Sequence, residues 1–322
     1  MQSMVKNSPT SARQPTILIF PPFYDIFPKR LLQFSMKKLI LPFLLVAALA
    51  GGTIFLKAQD SDKSSPKPPA AEKPAEKKKG DWKKKKKQPP KKELYSGEPI
   101  KALIITGGCC HNYLFQTYAL GSGVGALANV DFDVVNMGGK GTEAEIEFYN
   151  NPDWAKQFDV IIHNECFAKT TNQEYIKKIT EAHRSGIPAI VVHCAMHTYR
   201  DAEVDDWREF LGVTSKRHDH QSNYPVKTLV ADHPVMKGIP DDWVTAMDEL
   251  YIIEKLWPNA TALATSVSEK NKQAYPVVWT NDFNGTRVMG TTYGHSDDTF
   301  RDPVFIRLLA NAIIWTAGKD AH

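Results

Sequence analysis

Ile187-Pro-Ala-Ile-Val-Val-His-Cys-Ala-Met-His197 is a short β-branched run that breaks off into two histidines, a cysteine and small residues. Four consecutive apolar residues after Pro188 are too few for a helix. Being apolar on both faces, they suit the middle of a parallel sheet covered by helices. His193 is then the first residue past the sheet. Open α/β sheets bind ligands in the crevice outside the carboxyl ends of their strands, so an imidazole emerging there marks a site.

The stretches around this strand repeat its logic. Residues 100–106 read as a strand that stops at Gly107-Gly108, and residues 113–127 then space their apolar side chains as a helix does. Strands follow at 132–137 and 158–163, then a helix at 172–184 closed by Gly186 and Pro188, and another at 202–211 after the opening strand. Strands alternating with helices predict an α/β fold with a mainly parallel sheet flanked by helices. Past Gly212 the rhythm changes. Residues 224–230, 249–254, 261–265, 275–279 and 287–293 are strand-like with short connections, which predicts additional strands, antiparallel, in the C-terminal half. A helix over 302–315 closes the chain, with Ile306, Leu309, Ala310, Ile313 and Ile314 on one face.

Charge is divided unevenly along the chain. Of 40 basic and 36 acidic side chains, residues 1–93 hold 20 and 7, so the remainder carries a net charge of −9. An acidic globular part argues against nucleic-acid binding, which needs a cationic surface to displace counterions. Met36-Lys-Lys followed by residues 39–50, apolar and ending Ala48-Leu49-Ala50, has the pattern of a secretory signal. It predicts export to the periplasm or beyond, with Met36 as the start and residues 1–35 as a non-native upstream extension. The apolar character resumes at residues 53–56, so the segment 36–58 also fits an uncleaved membrane anchor. Residues 59–94 are rich in Lys, Pro, Ala and Glu and are expected to be a disordered linker. The linker acts as a spacer, or as a polycation touching anionic membrane or cell wall. The folded domain is expected at 95–322.

Three strands end in histidine or reach one within a few residues: His111, His163 and His193. His295 follows the run at 288–294. Parallel neighbours gather such residues at one sheet edge, where imidazoles suit either a divalent metal such as zinc or acid/base work. Taken singly, each is more often a hydrogen-bonded structural residue. His193 and His295 have the best case and His111 a fair one, whereas His163 at a strand terminus suits burial. The His218-Asp-His220 cluster has an H-x-H spacing that also suits a metal, but it is expected in a loop facing water. Asp248, Glu249 and Tyr251 begin a strand, where they suit metal ligation, histidine orientation or binding of sugar hydroxyls. Asp297 sits where it can hold the His295 ring. The cysteines 109, 110, 166 and 194 all fall just outside strand ends. One cross-strand disulfide is conceivable, pairing of adjacent Cys109 and Cys110 is not expected, and Cys194 suits burial or a disulfide better than nucleophilic catalysis.

Several motifs in a fixed order carry a resemblance: Lys101-Ala-Leu-Ile-Ile-Thr-Gly with His111-Asn-Tyr, Val192-His193 with Ala195, His233-Pro-Val-Met-Lys-Gly-Ile239, Asp248-Glu-Leu-Tyr251, Tyr275-Pro-Val-Val-Trp279 and Gly294-His295. Over about residues 99–319 the chain resembles the trehalose-utilisation (ThuA-like) family. That resemblance implies a flavodoxin-like fold similar to class I glutamine amidotransferases, and a role with trehalose, related sugars or 3-keto-sugars. Those amidotransferases carry a nucleophilic cysteine in a G-x-C-x-G elbow; here the matching positions are Val191-x-His193-x-Ala195, so glutamine hydrolysis is not expected. Two readings follow. One is an exported enzyme acting on a sugar or keto-sugar by hydrolysis, elimination or isomerisation. In it His193, His295, His111 and Glu249 are catalytic, the three histidines are metal ligands, and Asp248, Tyr251, His197 and Asp297 bind substrate. The other is a non-catalytic carbohydrate-binding module using Trp207, Tyr199, Trp243 or Trp279 as stacking platforms.

Overall fold

The computed structural model describes residues 91–322, so the segments at 1–35 and 36–58, and nearly all of 59–94, lie outside the described residues. In chain order the elements are β1 (Tyr95–Gly108), α1 (Tyr113–Leu127), β2 (Ala128–Asn136), β3 (Val160–Cys166), α2 (Gln173–Arg184), β4 (Ala189–Val192), α3 (Asp206–Leu211), β5 (Val213–Ser222), β6 (Lys227–Thr228), β7 (Asp248–Leu256), β8 (Ala260–Val267), β9 (Ala274–Phe283), β10 (Thr286–Thr291) and α4 (Pro303–Thr316). No helix among the described residues is long and apolar enough to cross a membrane.

One sheet runs β2-β1-β3-β4-β10-β9-β8-β6. Its first five strands are parallel neighbours, and β9, β8 and β6 add an antiparallel extension. The opening strand lies where its composition puts it: Ala189, Ile190, Val191 and Val192 are all buried, between β3 and β10. Helices cover the sheet through conventional signals. In α2 the Asn172 side chain caps the first turn, and Tyr175, Ile176, Ile179 and His183 bury at helical spacing. Asp302 caps α4 and Pro303 occupies its first turn, where a missing N–H costs nothing. At Gly290 of β10 a Cβ would lie 2.1 Å from the Trp279 ring, so a side chain there would expel the indole from the core.

Three element expectations need correction. The helix expected over 202–211 is only Asp206–Leu211, because the Arg208 guanidinium donates to the carbonyls of Arg200, Ala202 and Val204 and holds that segment as a loop. The strand expected at 224–230 shrinks to Lys227–Thr228, and Pro225, lacking an N–H, makes only an isolated bridge to Val244. The segment expected as a loop around His218 is strand β5, which pairs antiparallel with β7 in a separate two-stranded sheet. That small sheet carries half of the site.

Candidate functional site

The parallel strands deliver histidines to one end. His193 begins a 3₁₀ turn directly after β4, His295 follows β10 by four residues, and His111 follows β1 by three. His193 has φ +47°, in the left-handed region that few residues other than glycine adopt. Gly294 permits this turn: its own φ is +131°, and a Cβ on it would lie 2.9 Å from Val192 Cγ1 and 3.1 Å from His193 Cβ. The elbow position is thus a strained strand-to-turn corner, bearing an imidazole.

Each of His111, His193 and His295 places a ring nitrogen within 4.8 Å of the other two. Ring centroids are 4.8 Å apart for His111 and His193, 5.0 Å for His111 and His295, and 5.4 Å for His193 and His295. Backbone carbonyls fix two of the rings. His193 Nδ1–H donates to Thr292 O at 2.6 Å, and His111 Nδ1–H donates to His295 O at 3.2 Å. Both therefore present a lone pair at Nε2. Burial, reinforced by the neighbouring imidazoles, pushes His111 down to about 4 and His193 well below its ordinary value. Both are neutral at physiological pH, the form that ligates metal.

The β5–β7 sheet closes the site from the other side. Glu249 Oε2 lies 3.4 Å from His295 Nδ1, 3.7 Å from His193 Nε2 and 3.7 Å from His218 Nδ1. Although burial opposes charge, His295 and His218 hold the Glu249 carboxyl below its ordinary range, and the Glu249 carboxylate in turn raises His295. Tyr251, kept neutral by burial, donates its hydroxyl to His193 Nε2 at 3.2 Å. Gln221 of β5 donates to His295 Nε2 at 2.8 Å. Gln116 of α1 donates to the carbonyls of Gly294 and His295.

The expected catalytic four, His111, His193, His295 and Glu249, thus meet. Of the residues expected to bind substrate, Tyr251 borders them, and Asp297 accepts from Asn112 Nδ2 at 2.8 Å beside them. Asp248 and His197 are not presented to a ligand. Asp248 is wholly buried; it accepts from the backbone N–H groups of Gly294, His295 and Glu249 and from Thr299 Oγ1, so it builds the His295 loop. Burial pushes its carboxyl up to about 6 despite those bonds. His197 is buried, stacked on Tyr251 at 3.9 Å between centroids and bonded through Nε2 to Ser215 Oγ. His163 points instead into the core, between Glu165 Oε1 at 2.8 Å and His183 Nε2 at 3.0 Å. Asp219, expected to face water, is buried and accepts from Ser268 Oγ and the His220 N–H, while His218 and His220 are half-exposed. All four expected stacking aromatics, Tyr199, Trp207, Trp243 and Trp279, are buried in the core. A surface hollow of about 790 Å³, lined by Arg200, Asp201, Glu203 and Lys216 among others, shares no residue with the histidine cluster.

The cysteines meet one expectation, a cross-strand disulfide, and depart from another, that adjacent Cys109 and Cys110 stay unpaired. Cys166 at the end of β3 is bonded to Cys194 after β4, a cross-strand bridge, and adjacent Cys109 and Cys110 are bonded to each other. Gly107 and Gly108 end β1 at positive φ, and Cys110 in the bend that follows has φ +87°, so the two cysteines lie outside regular extended strand.

A family model described as trehalose utilisation matches residues 101–316. The chain belongs to the trehalose-utilisation family. A thua-like protein of Parabacteroides merdae superimposes with a TM-score of 0.54 at 21% identity, over 69% of this chain and 92% of that one. Another from Bacteroides uniformis gives 0.52 at 18% identity, over 70% and 95%. These likenesses establish the shared flavodoxin-like, glutamine amidotransferase-like fold. Comparison with curated proteins gave no match. Family membership supports a carbohydrate-related role.

Proposed function

We propose that this chain is an exported enzyme acting on a sugar or keto-sugar at a site where His111, His193 and His295 hold a divalent metal and Glu249 moves the proton. The observation that carries this reading is the convergence of three histidine nitrogens within 4.8 Å, two of them on rings fixed by backbone carbonyls. The donor set fits a borderline metal such as zinc, and a metal bound there supplies polarisation of a substrate carbonyl or hydroxyl. An ionised Glu249 beside those histidines is an acceptor only, suited to take a proton from carbon beside a carbonyl. Such a step opens elimination or isomerisation of a keto-sugar, and hydrolysis of a keto-glycoside when water adds afterwards. The charged, apolar, small-residue order at residues 36–50 supports export. The burial of the four candidate platforms supports this reading over a stacking-type binding module.

The test is deuterium wash-in. Incubated with a 3-keto-glucoside in D₂O, the protein is expected to exchange the proton beside the carbonyl, and Glu249→Gln is expected to slow this by about 100-fold or more. No exchange above buffer by the wild type, or equal exchange by the variant, contradicts the proposal.

A further inference from the structure

Beside the histidine cluster lies a second group of reactive side chains that the proposed sugar chemistry does not use. Its four cysteines sit at the carboxyl ends of β1, β3 and β4. Sulfurs of Cys109, Cys110 and Cys166 all fall within 4.8 Å of one another, and Cys109 Sγ is 3.8 Å from Cys166 Sγ. The two disulfides are therefore in van der Waals contact through one sulfur of each. They also differ in access. Cys110 is exposed and Cys109 partly so, whereas Cys166 and Cys194 are 3% and 7% exposed, packed with Tyr113. A reductant from solution meets the outer pair first, and the inner pair can be reached through Cys109.

We propose that the four cysteines form a thiol–disulfide relay, in which an external dithiol is oxidised at Cys109–Cys110 and its electron pair passes across the Cys109–Cys166 contact to Cys166–Cys194. Exchange proceeds by attack of a thiolate on a disulfide sulfur. One thiolate of the external dithiol attacks Cys110 Sγ; the Cys109–Cys110 bond breaks and Cys109 leaves as thiolate. The second thiol of the dithiol attacks the mixed disulfide, leaving as a cyclic disulfide and releasing the Cys110 thiolate. Cys109 then attacks Cys166 Sγ, forming Cys109–Cys166 and expelling the Cys194 thiolate. Cys110 attacks Cys109 Sγ, re-forms the outer disulfide and expels the Cys166 thiolate. The dithiol loses two electrons and two protons; Cys166 and Cys194 gain both. The partner class is a small dithiol or a protein bearing an exposed dithiol, and the product is a reduced thiol at Cys194, next in sequence to His193.

The full chain, with dithiothreitol as probe, tests this by acid quenching, alkylation and peptide mapping. Cys110→Ser removes the resolving sulfur at an exposed position, so non-reducing maps of this variant are expected to contain a Cys109–Cys166 cross-linked peptide with Cys194 alkylated. In Cys109→Ser/Cys110→Ser, reduction of Cys166–Cys194 is expected to be at least tenfold slower than in the wild type. Only Cys166–Cys194 in the first variant, or equal rates in the second, overturns the relay.

Discussion

Gly294 shows how one missing methyl group sets the site. With φ +131° and Val192 Cγ1 and His193 Cβ close to where a Cβ would stand, alanine there meets both backbone strain and a clash. Gly294→Ala is expected to cost about 1–3 kcal/mol in urea unfolding and to displace His193 from His295. Unchanged stability contradicts the close-approach account. The reading of single residues from sequence succeeds where a residue type meets a strand end. His193, His295 and His111 were all legible that way, because parallel strands in register force their carboxyl ends together. It fails for Asp248, since a carboxylate that binds a ligand and one that caps a loop look alike until the N–H groups of Gly294 and His295 are seen aimed at it.

At the scale of elements, the β5–β7 sheet is the part that pattern could not reveal. In β5, Val213, Ser215 and Asp219 bury while Lys216, Arg217, His218, His220 and Gln221 do not, so its polar run lacks the apolar alternation that marks a strand. Gln221 was missed for the same reason. Asp219 ties this strand to the β8–β9 connection: burial pushes its carboxyl up, but bonds from Ser268 Oγ at 2.6 Å, the His220 N–H and the Lys270 N–H pull it further down. Asp219→Asn leaves donors facing an amide N–H. It is expected to lower stability by about 2 kcal/mol, in line with buried charge-assisted bonds, and thermal unfolding checks this. A change within experimental error leaves the strand held by pairing alone. The parallel half, by contrast, was legible because every one of its strands alternates with a helix or a loop of crossover length.

For the whole molecule, buried neutral histidines make stability depend on pH. Burial, together with the neighbouring His163, lowers His183 to about 3, and burial, together with the neighbouring Arg200, lowers His197 to about 3. A histidine whose folded value lies below its unfolded 6.5 takes a proton only on unfolding, so its contribution falls as pH drops from 6.5 toward 3. At 1.36 kcal/mol per unit, His183 alone accounts for about 2 kcal/mol between pH 6.5 and 5. Asp248, raised to about 6, works the other way, because the folded state gains a proton between pH 6 and 3.8. The histidines outweigh it. Urea unfolding with chelator present is expected to show a loss of at least about 2 kcal/mol from pH 6.5 to 5; a flat profile contradicts the neutral state of the buried rings.

The convergence of the three histidines is the central claim, and metal content tests it most directly. The full chain, purified without chelator or affinity tag and dialysed against zinc and manganese in turn, is expected to retain about one equivalent of metal by plasma mass spectrometry. His193→Ala and His295→Ala are each expected to lose it while keeping the wild-type fold. A wild type that holds none, or variants that hold as much as the wild type, would contradict the account.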